Sequence, residues 1–186
     1  GTERALRSWS TLVPWCVGLV VALGPLVPTP LPVVERSTTP AFFADGTWRE
    51  YVDDGSVATV PLPRPEAASA LRWQRDADFG YPIAGGYFVG PAGAERKGKY
   101  GPDDRPTALL LAKVADKGIV PLIDAHTRAV ALADLRFWHA DAVVLPPTQN
   151  HAALAATLTD LLGTPGRYVD GVRVWDVRTI TAAQRP

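Results

Sequence analysis

Hydrophobic positions follow two regimes along this chain. An unbroken apolar run lies near the start, and short apolar clusters separated by polar and glycine-rich stretches follow. No charged residue occurs from Ser8 to Val34, and the middle of that run reads Leu12-Val13-Pro14-Trp15-Cys16-Val17-Gly18-Leu19-Val20-Val21-Ala22-Leu23. As a helix, residues 9–27 would extend about 28 Å at ~1.5 Å per residue. That length approaches the ~30 Å hydrocarbon core of a bilayer, usually crossed by ~20 residues. The pattern therefore predicts a cytoplasmic flank and transmembrane helix over residues 1–27 and a Pro-rich stalk over 28–40. Arg4 and Arg7 precede the run and Glu35 and Arg36 follow it, which places the remainder of the chain outside the cytoplasm. Trp9 and Trp15 suit an interfacial belt, Pro14 fits a first helical turn, and Pro25, Pro28, Pro30 and Pro32 cannot continue a helix.

Other readings of the same run compete. A secretory signal peptide has a basic start and an apolar core, but no clear small-x-small cleavage site is present. A buried helix of a soluble protein would be shortened by the prolines, and an isolated single-span anchor is a further option. The chain opens Gly1-Thr2-Glu3 without Met, so the preferred reading is the last span of a longer polytopic protein.

Over residues 41–186 the pattern is that of an extracytoplasmic α/β domain. A short helix is expected over 48–52, capped by Asp45 or Thr47, and a first core strand over 57–62. A helix over 66–74 and a glycine-rich loop with a short strand at 87–89 come next. Residues 93–104 read as a mobile polar excursion. Pro106 fits the first turn of a helix burying Leu109, Leu110, Leu111 and Val114 and stopped by Gly118. Residues 119–123 read as a buried strand, 127–138 as a helix and 142–145 as the next strand. Asn150 should cap a helix whose Leu154, Leu158, Leu161 and Leu162 share one face, ended by Gly163 and Pro165. Asp170-Gly171 between two β-rich stretches predicts a hairpin. Helices alternating with buried strands imply a small, mainly parallel α/β layer domain that ends in this hairpin.

Composition removes some partners. The 19 basic and 19 acidic residues balance, and no basic stripe with interleaved aromatics offers phosphate neutralisation, so no nucleic acid is expected. Cys16 is the only cysteine, so no disulfide forms within the chain and cysteine usage does not reveal the compartment. The absence of Met and the wealth of Ala, Gly, Pro and Arg associate the chain with GC-rich bacterial genomes.

The candidate chemistry is thin. Gly93-Ala94-Glu95-Arg96-Lys97-Gly98-Lys99 matches the start of a phosphate-binding loop, but Tyr100 stands where Ser or Thr should bind magnesium, and Gly101-Pro102 follow where a helix should begin. Asp76-Ala77-Asp78 has the form of a metal-holding pair, with local capping or surface solvation as the simpler reading. Asp124-Ala125-His126 lies past an expected strand end, where α/β sheets place ligands. His126, His139 and His151 offer acid–base partners on paper, although a lone histidine in a loop or cap is usually structural. No Gly-x-Ser-x-Gly elbow supplies a nucleophile, and no H-E-x-x-H or Cys cluster supplies zinc ligands. Trp73, Trp138 and Trp175 suit a core better than a sugar platform.

After the apolar run and the stalk, the order Pro40-Ala41-Phe42-Phe43, residues 57–63, Leu71-Arg72-Trp73-Gln74, Phe79-Gly80-Tyr81, Gly85-Gly86-Tyr87-Phe88 and Val143-Val144-Leu145-Pro146 forms a series. It resembles the C-terminal extracytoplasmic region of bacterial polytopic membrane proteins of the GT-C glycosyltransferase type. The resemblance implies a cell-membrane location, sugar transfer from a polyprenyl-phosphate donor, and contacts with lipid, with the upstream transmembrane domain of the same polypeptide and with a glycan acceptor. In such proteins the catalytic acids lie in an early extracytoplasmic loop that these residues do not contain, so no catalytic, cofactor or metal residue is carried over. The domain would cap the membrane cavity or bind acceptor, and Asp76, Asp78, Tyr81 and Tyr87 are the expected substrate-facing residues. A tight backbone path through Gly85-Gly86 is the plainer account of that glycine-rich region. A membrane-tethered module for glycan or protein binding is the alternative function, and an anchored hydrolase using Asp124 and His126 is a third.

Overall fold

The computed structural model describes residues 14–15, 17–23, 38–64, 67–86, 89–92, 97–101 and 104–182. The chain divides into two compact units, Gly1–Arg36 and Ser37–Pro186.

In the first unit, residues 14–15 and 17–23 are helical, with Trp15, Val20 and Val21 exposed. Those positions cover about 15 Å at ~1.5 Å per residue, half of a ~30 Å hydrocarbon core. Among the described residues no helix is long and apolar enough to cross a membrane. The expected N-terminal transmembrane helix is thereby corrected. Uncharged composition is one condition for a span and continuous helix of sufficient length is a second, and among the described residues the second is not met. Most of the expected stalk over 28–40 lies outside the described residues.

The second unit is built on a four-stranded sheet in the order β1-β4-β6-β5, with β1 at Ser56–Thr59, β4 at Ala140–Leu145, β5 at Arg167–Val169 and β6 at Val172–Asp176. β1 and β4 are parallel, with Val57 opposite Ala142 and Thr59 opposite Val144. β4 pairs antiparallel with β6, and β6 antiparallel with β5. The sheet is therefore mixed, not mainly parallel. The outer edge of β1 is taken by residues 82–84: Val57 N donates to Pro82 O at 2.9 Å, and Ala84 N donates to Val57 O at 2.9 Å. A separate two-stranded ribbon pairs β2, Val89–Ala92, with β3, Lys97–Tyr100.

Every residue of β4 is buried, as befits a central strand covered on both faces. One face carries Ala58, Val60, Val143, Leu145 and Trp175 beneath three helices, α3 at Pro106–Lys117, α4 at Ala125–Phe137 and α5 at His151–Leu162. The other face carries Val57, Ala142, Val144, Val172 and Val174 beneath an aromatic layer. That layer is supplied by α1 at Ala41–Ala44, a 3-10 turn at Thr47–Glu50 and α2 at Ser69–Asp76. A short helix α6, Arg178–Ala182, closes the chain on β4.

Local signals hold at several places. Pro106 opens α3, Gly118 and Gly163 end α3 and α5 in the left-handed region, and Asp170-Gly171 forms the two-residue turn between β5 and β6. Both turn residues have positive φ, 43° and 85°, the backbone that matches the twist of paired strands.

Other expectations are corrected. Residues 119–123 form no strand, and Leu109 is exposed on α3. Both sides of β4 are taken by β1 and β6, and the outer edge of β1 is covered by residues 82–84, so neither parallel strand offers an edge to this segment. The segment instead links α3 to α4. Asn150 precedes α5, but its side chain makes no cap; its Nδ2 donates to Ala115 O at 2.8 Å and ties α5 to α3. Neither Asp45 nor Thr47 caps the 3-10 turn, whose entry is Gly46.

Candidate functional site

β1, β4 and the 82–84 segment run in one direction, so their carboxyl ends share one edge of the sheet. The chain leaves β1 toward the aromatic face, where Ala70 and Trp73 of α2 pack. It leaves β4 toward the opposite face, where Leu154, Leu158 and Leu161 of α5 pack. Connections that diverge to opposite faces leave a crevice between the strand ends, the usual ligand position in open α/β sheets.

Glycine lines the β1 side of this edge. A Cβ on Gly85 would sit 3.5 Å from Leu62 Cδ2 and Pro63 Cδ, and one on Gly101, just after β3, would sit 3.3 Å from Gly86 O. The root of the β2–β3 ribbon therefore lies against the glycine pair. On the β4 side are Pro146–Asn150 and the first turn of α5, whose entry carries no side-chain cap.

Arg173 of β6 stands opposite Leu145, the last residue of β4. It is half-buried, and its Nε is buried with no hydrogen-bond partner. His151 opens α5; burial and then the charge of Arg173 lower its pKa, so the imidazole favours its neutral form. A guanidinium whose charge bears on an imidazole thus stands by the first turn of a helix. Such a set holds and orients polar or anionic groups. Sequence reading passed over Arg173; its signal was a cation between Val172 and Val174, within an otherwise apolar strand.

Of the residues expected to face substrate, Tyr81 lies in the aromatic layer and Asp76 ends α2 near it. Phe43 stacks against Trp73 (ring centroids 5.4 Å apart) and Tyr81 (5.5 Å), Trp48 tilts onto Tyr81 at 5.0 Å, and Phe42 meets Phe43 edge-on at 5.1 Å. Tyr81 is fully buried, and its hydroxyl has no partner; burial, with the nearby Asp76 charge, raises its pKa. Asp76 accepts hydrogen bonds from Thr39 and Arg75, and these lower its pKa. Asp78 is exposed at the turn after α2, with φ 52°. Tyr87 lies outside the described residues. Asp76 and Tyr81 are thus brought close, while Asp78 turns to solvent.

The remaining candidates resolve into local roles. Asp124 caps α4, accepting from Thr127 N and Thr127 Oγ1 at 2.7 Å each, and those bonds lower its pKa. His126 lines a cleft of about 200 Å³ with Pro106, Thr107, Leu110, Thr127 and Val130. Residues 93–96 of the loop-like motif lie outside the described residues, and Lys97–Tyr100 is a strand where a phosphate loop would lead into a helix. Trp73 and Trp175 are buried in the two cores. Among the described residues, no group of three or more His, Cys, Asp or Glu is placed to hold a metal ion.

Protein-family models, curated proteins and solved structures offer no match to this chain, so the reading of the site rests on its own geometry.

Proposed function

We propose that this chain is an accessory extracytoplasmic region of a bacterial membrane glycosyltransferase-like protein. In this reading it caps the membrane-side cavity of a polyprenyl-phosphate-sugar-dependent enzyme, or binds the acceptor, and the chemistry is done by an upstream domain. One observation carries the reading. Residues that are scattered through the sequence series gather on one side of the sheet: Phe42, Phe43, Trp73 and Tyr81 form a single layer, and Gln74 Nε2 donates to Tyr81 O at 2.8 Å. The Gly85-Gly86 pair then delivers the chain to the carboxyl edge, beside Leu62 and Pro63. A series that maps onto one connected layer behaves as a single structural signature. The donor-rich edge at His151 and Arg173 suits a polar ligand such as a glycan or its phosphate.

The coding sequence upstream of Gly1 is the first test. Several apolar spans with an early acidic loop are expected there, and a gene that encodes neither would overturn the reading. The second test is sugar transfer from a polyprenyl-phosphate donor in membranes expressing the whole gene. Replacing Arg173 by Gln should raise the KM for acceptor and leave donor hydrolysis unchanged. Glycan binding by a gene product that lacks transferase activity would favour a membrane-tethered binding module.

A further inference from the structure

The link between α3 and α4 presents Ile119 at 68%, Val120 at 43% and Leu122 at 96% exposure, three large apolar side chains within four residues. The link is not loose at its ends. Gly118 closes α3 with its amide donating to Val114 O at 2.8 Å, Asp124 caps α4, and Ile123 packs on the core between them. A firmly held loop that displays apolar side chains calls for an apolar partner.

We infer that this loop is a contact point with the headgroup–acyl boundary of a lipid bilayer, an inference that rests on the membrane-side reading above. Two observations select lipid over protein. A stable protein interface takes about 20–30 residues a side, and this patch offers three apolar side chains, enough for local insertion but not for a dimer. Lys113 and Lys117 are exposed on the last turns of α3 beside the loop, and Arg128 is exposed on α4. Two acids also flank the loop, exposed Asp116 and exposed Asp124, whose bonds from Thr127 leave it charged, so the three cations face two acids. Apolar tips flanked by cations match an anionic membrane surface.

The test uses the full chain with Cys16→Ser and one environment-sensitive fluorophore attached in turn through Leu122→Cys or Glu50→Cys. The labelled chains are mixed with vesicles of phosphatidylcholine and phosphatidylglycerol. Co-flotation with the vesicles reports membrane association of the chain as a whole, and position 50, exposed on the 3-10 turn, reports the aqueous side. Co-flotation with blue-shifted emission at 122 but not at 50 is expected, with a smaller shift at 122 on pure phosphatidylcholine. Co-flotation with an aqueous signal at 122 overturns this inference and leaves the membrane-side reading standing. An aqueous signal at 122 without co-flotation overturns both. A shift at 122 that needs no vesicles and grows with protein concentration identifies a second copy as the occupant and overturns the lipid assignment.

Discussion

Asp134 lies on α4, yet its carboxylate completes α3. It is fully buried; Oδ2 accepts from Thr107 N at 2.9 Å, and Oδ1 accepts from Arg105 Nε. Arg105 holds the N-cap position of α3 without capping it through its own side chain. A cap is worth ~0.5–2 kcal/mol, and a hydrogen bond to a charged group ~1.5–3 kcal/mol. Breaking a fully buried ion pair by removing one partner costs ~3–5 kcal/mol. This pair lies at the lower end of that range, because the Arg105 side chain is 33% exposed and also rests 4.2 Å over the Phe137 ring. Asp134→Ala should therefore cost about 3 kcal/mol, a large share of the ~5–15 kcal/mol that holds a typical domain folded. Asp134→Asn keeps an acceptor for Thr107 N but loses the charge, and should cost about 1–2 kcal/mol. Arg105→Ala should cost about 1 kcal/mol, with a coupling to Asp134 of similar size in the double mutant. Urea unfolding followed by tryptophan fluorescence gives these differences from the midpoint at constant slope, and amide exchange at Thr107 reports the cap directly. A loss below ~0.5 kcal/mol in Asp134→Ala, the scale of ordinary surface changes, or unaltered protection at Thr107 would refute the reasoning.

Two glycines separate steric from conformational cost. A Cβ at Gly80 would lie 2.7 Å from Trp48 Cζ2, so Gly80→Ala should cost ~1–3 kcal/mol by overpacking the aromatic layer. Gly171 faces open space but has φ 85°, so Gly171→Ala should cost only ~1 kcal/mol in the same denaturation assay. Asp176 accepts from Arg178 Nη2 at 2.6 Å, and this bond holds its pKa below the ordinary 3.8. A depressed carboxylate stabilises the fold above its unfolded pKa and loses that contribution as pH falls through the folded value. Carboxyl NMR should place the Asp176 midpoint below 3.8 and return it toward 3.8 in Arg178→Gln. At the sheet edge, Arg173→Gln should raise the His151 midpoint toward its ordinary 6.5 without restoring it fully, since burial is the larger cause; an unchanged imidazole titration would remove Arg173 from that site.

What was legible in advance was chemistry that acts within a few residues. Asp170-Gly171 turns because of its own backbone preferences, and Pro106, Gly118 and Gly163 mark helix ends for the same reason. Leu154, Leu158 and Leu161 faced inward, as their spacing required. Local apolarity by itself did not decide environment. Residues 119–123 have the composition of a buried strand, but both sides of β4 are already taken by β1 and β6, and Ile119 and Leu122 meet solvent. Residues 8–34 have the apolarity of a span, while the described helical positions reach only half the needed length.

The candidate edge was legible only in part, since the glycine pair announced a special backbone path and its neighbours remained hidden. The Arg173 charge bears on His151 because β6 pairs with the end of β4, a register between residues far apart in the chain. Asp134 and Asp141 look like solvated surface acids in sequence. The fold makes Asp134 the cap of α3, and makes Asp141 Oδ2 the acceptor for Asp53 N at 2.9 Å and Gly55 N at 2.8 Å. The amino-acid order by itself determined turns, helix limits and inward faces, because those depend on dihedral preference and spacing over a few residues. Only the tertiary structure decided strand neighbours, the roles of buried charges and the exposure of apolar links, because each depends on which distant segment occupies the adjoining space.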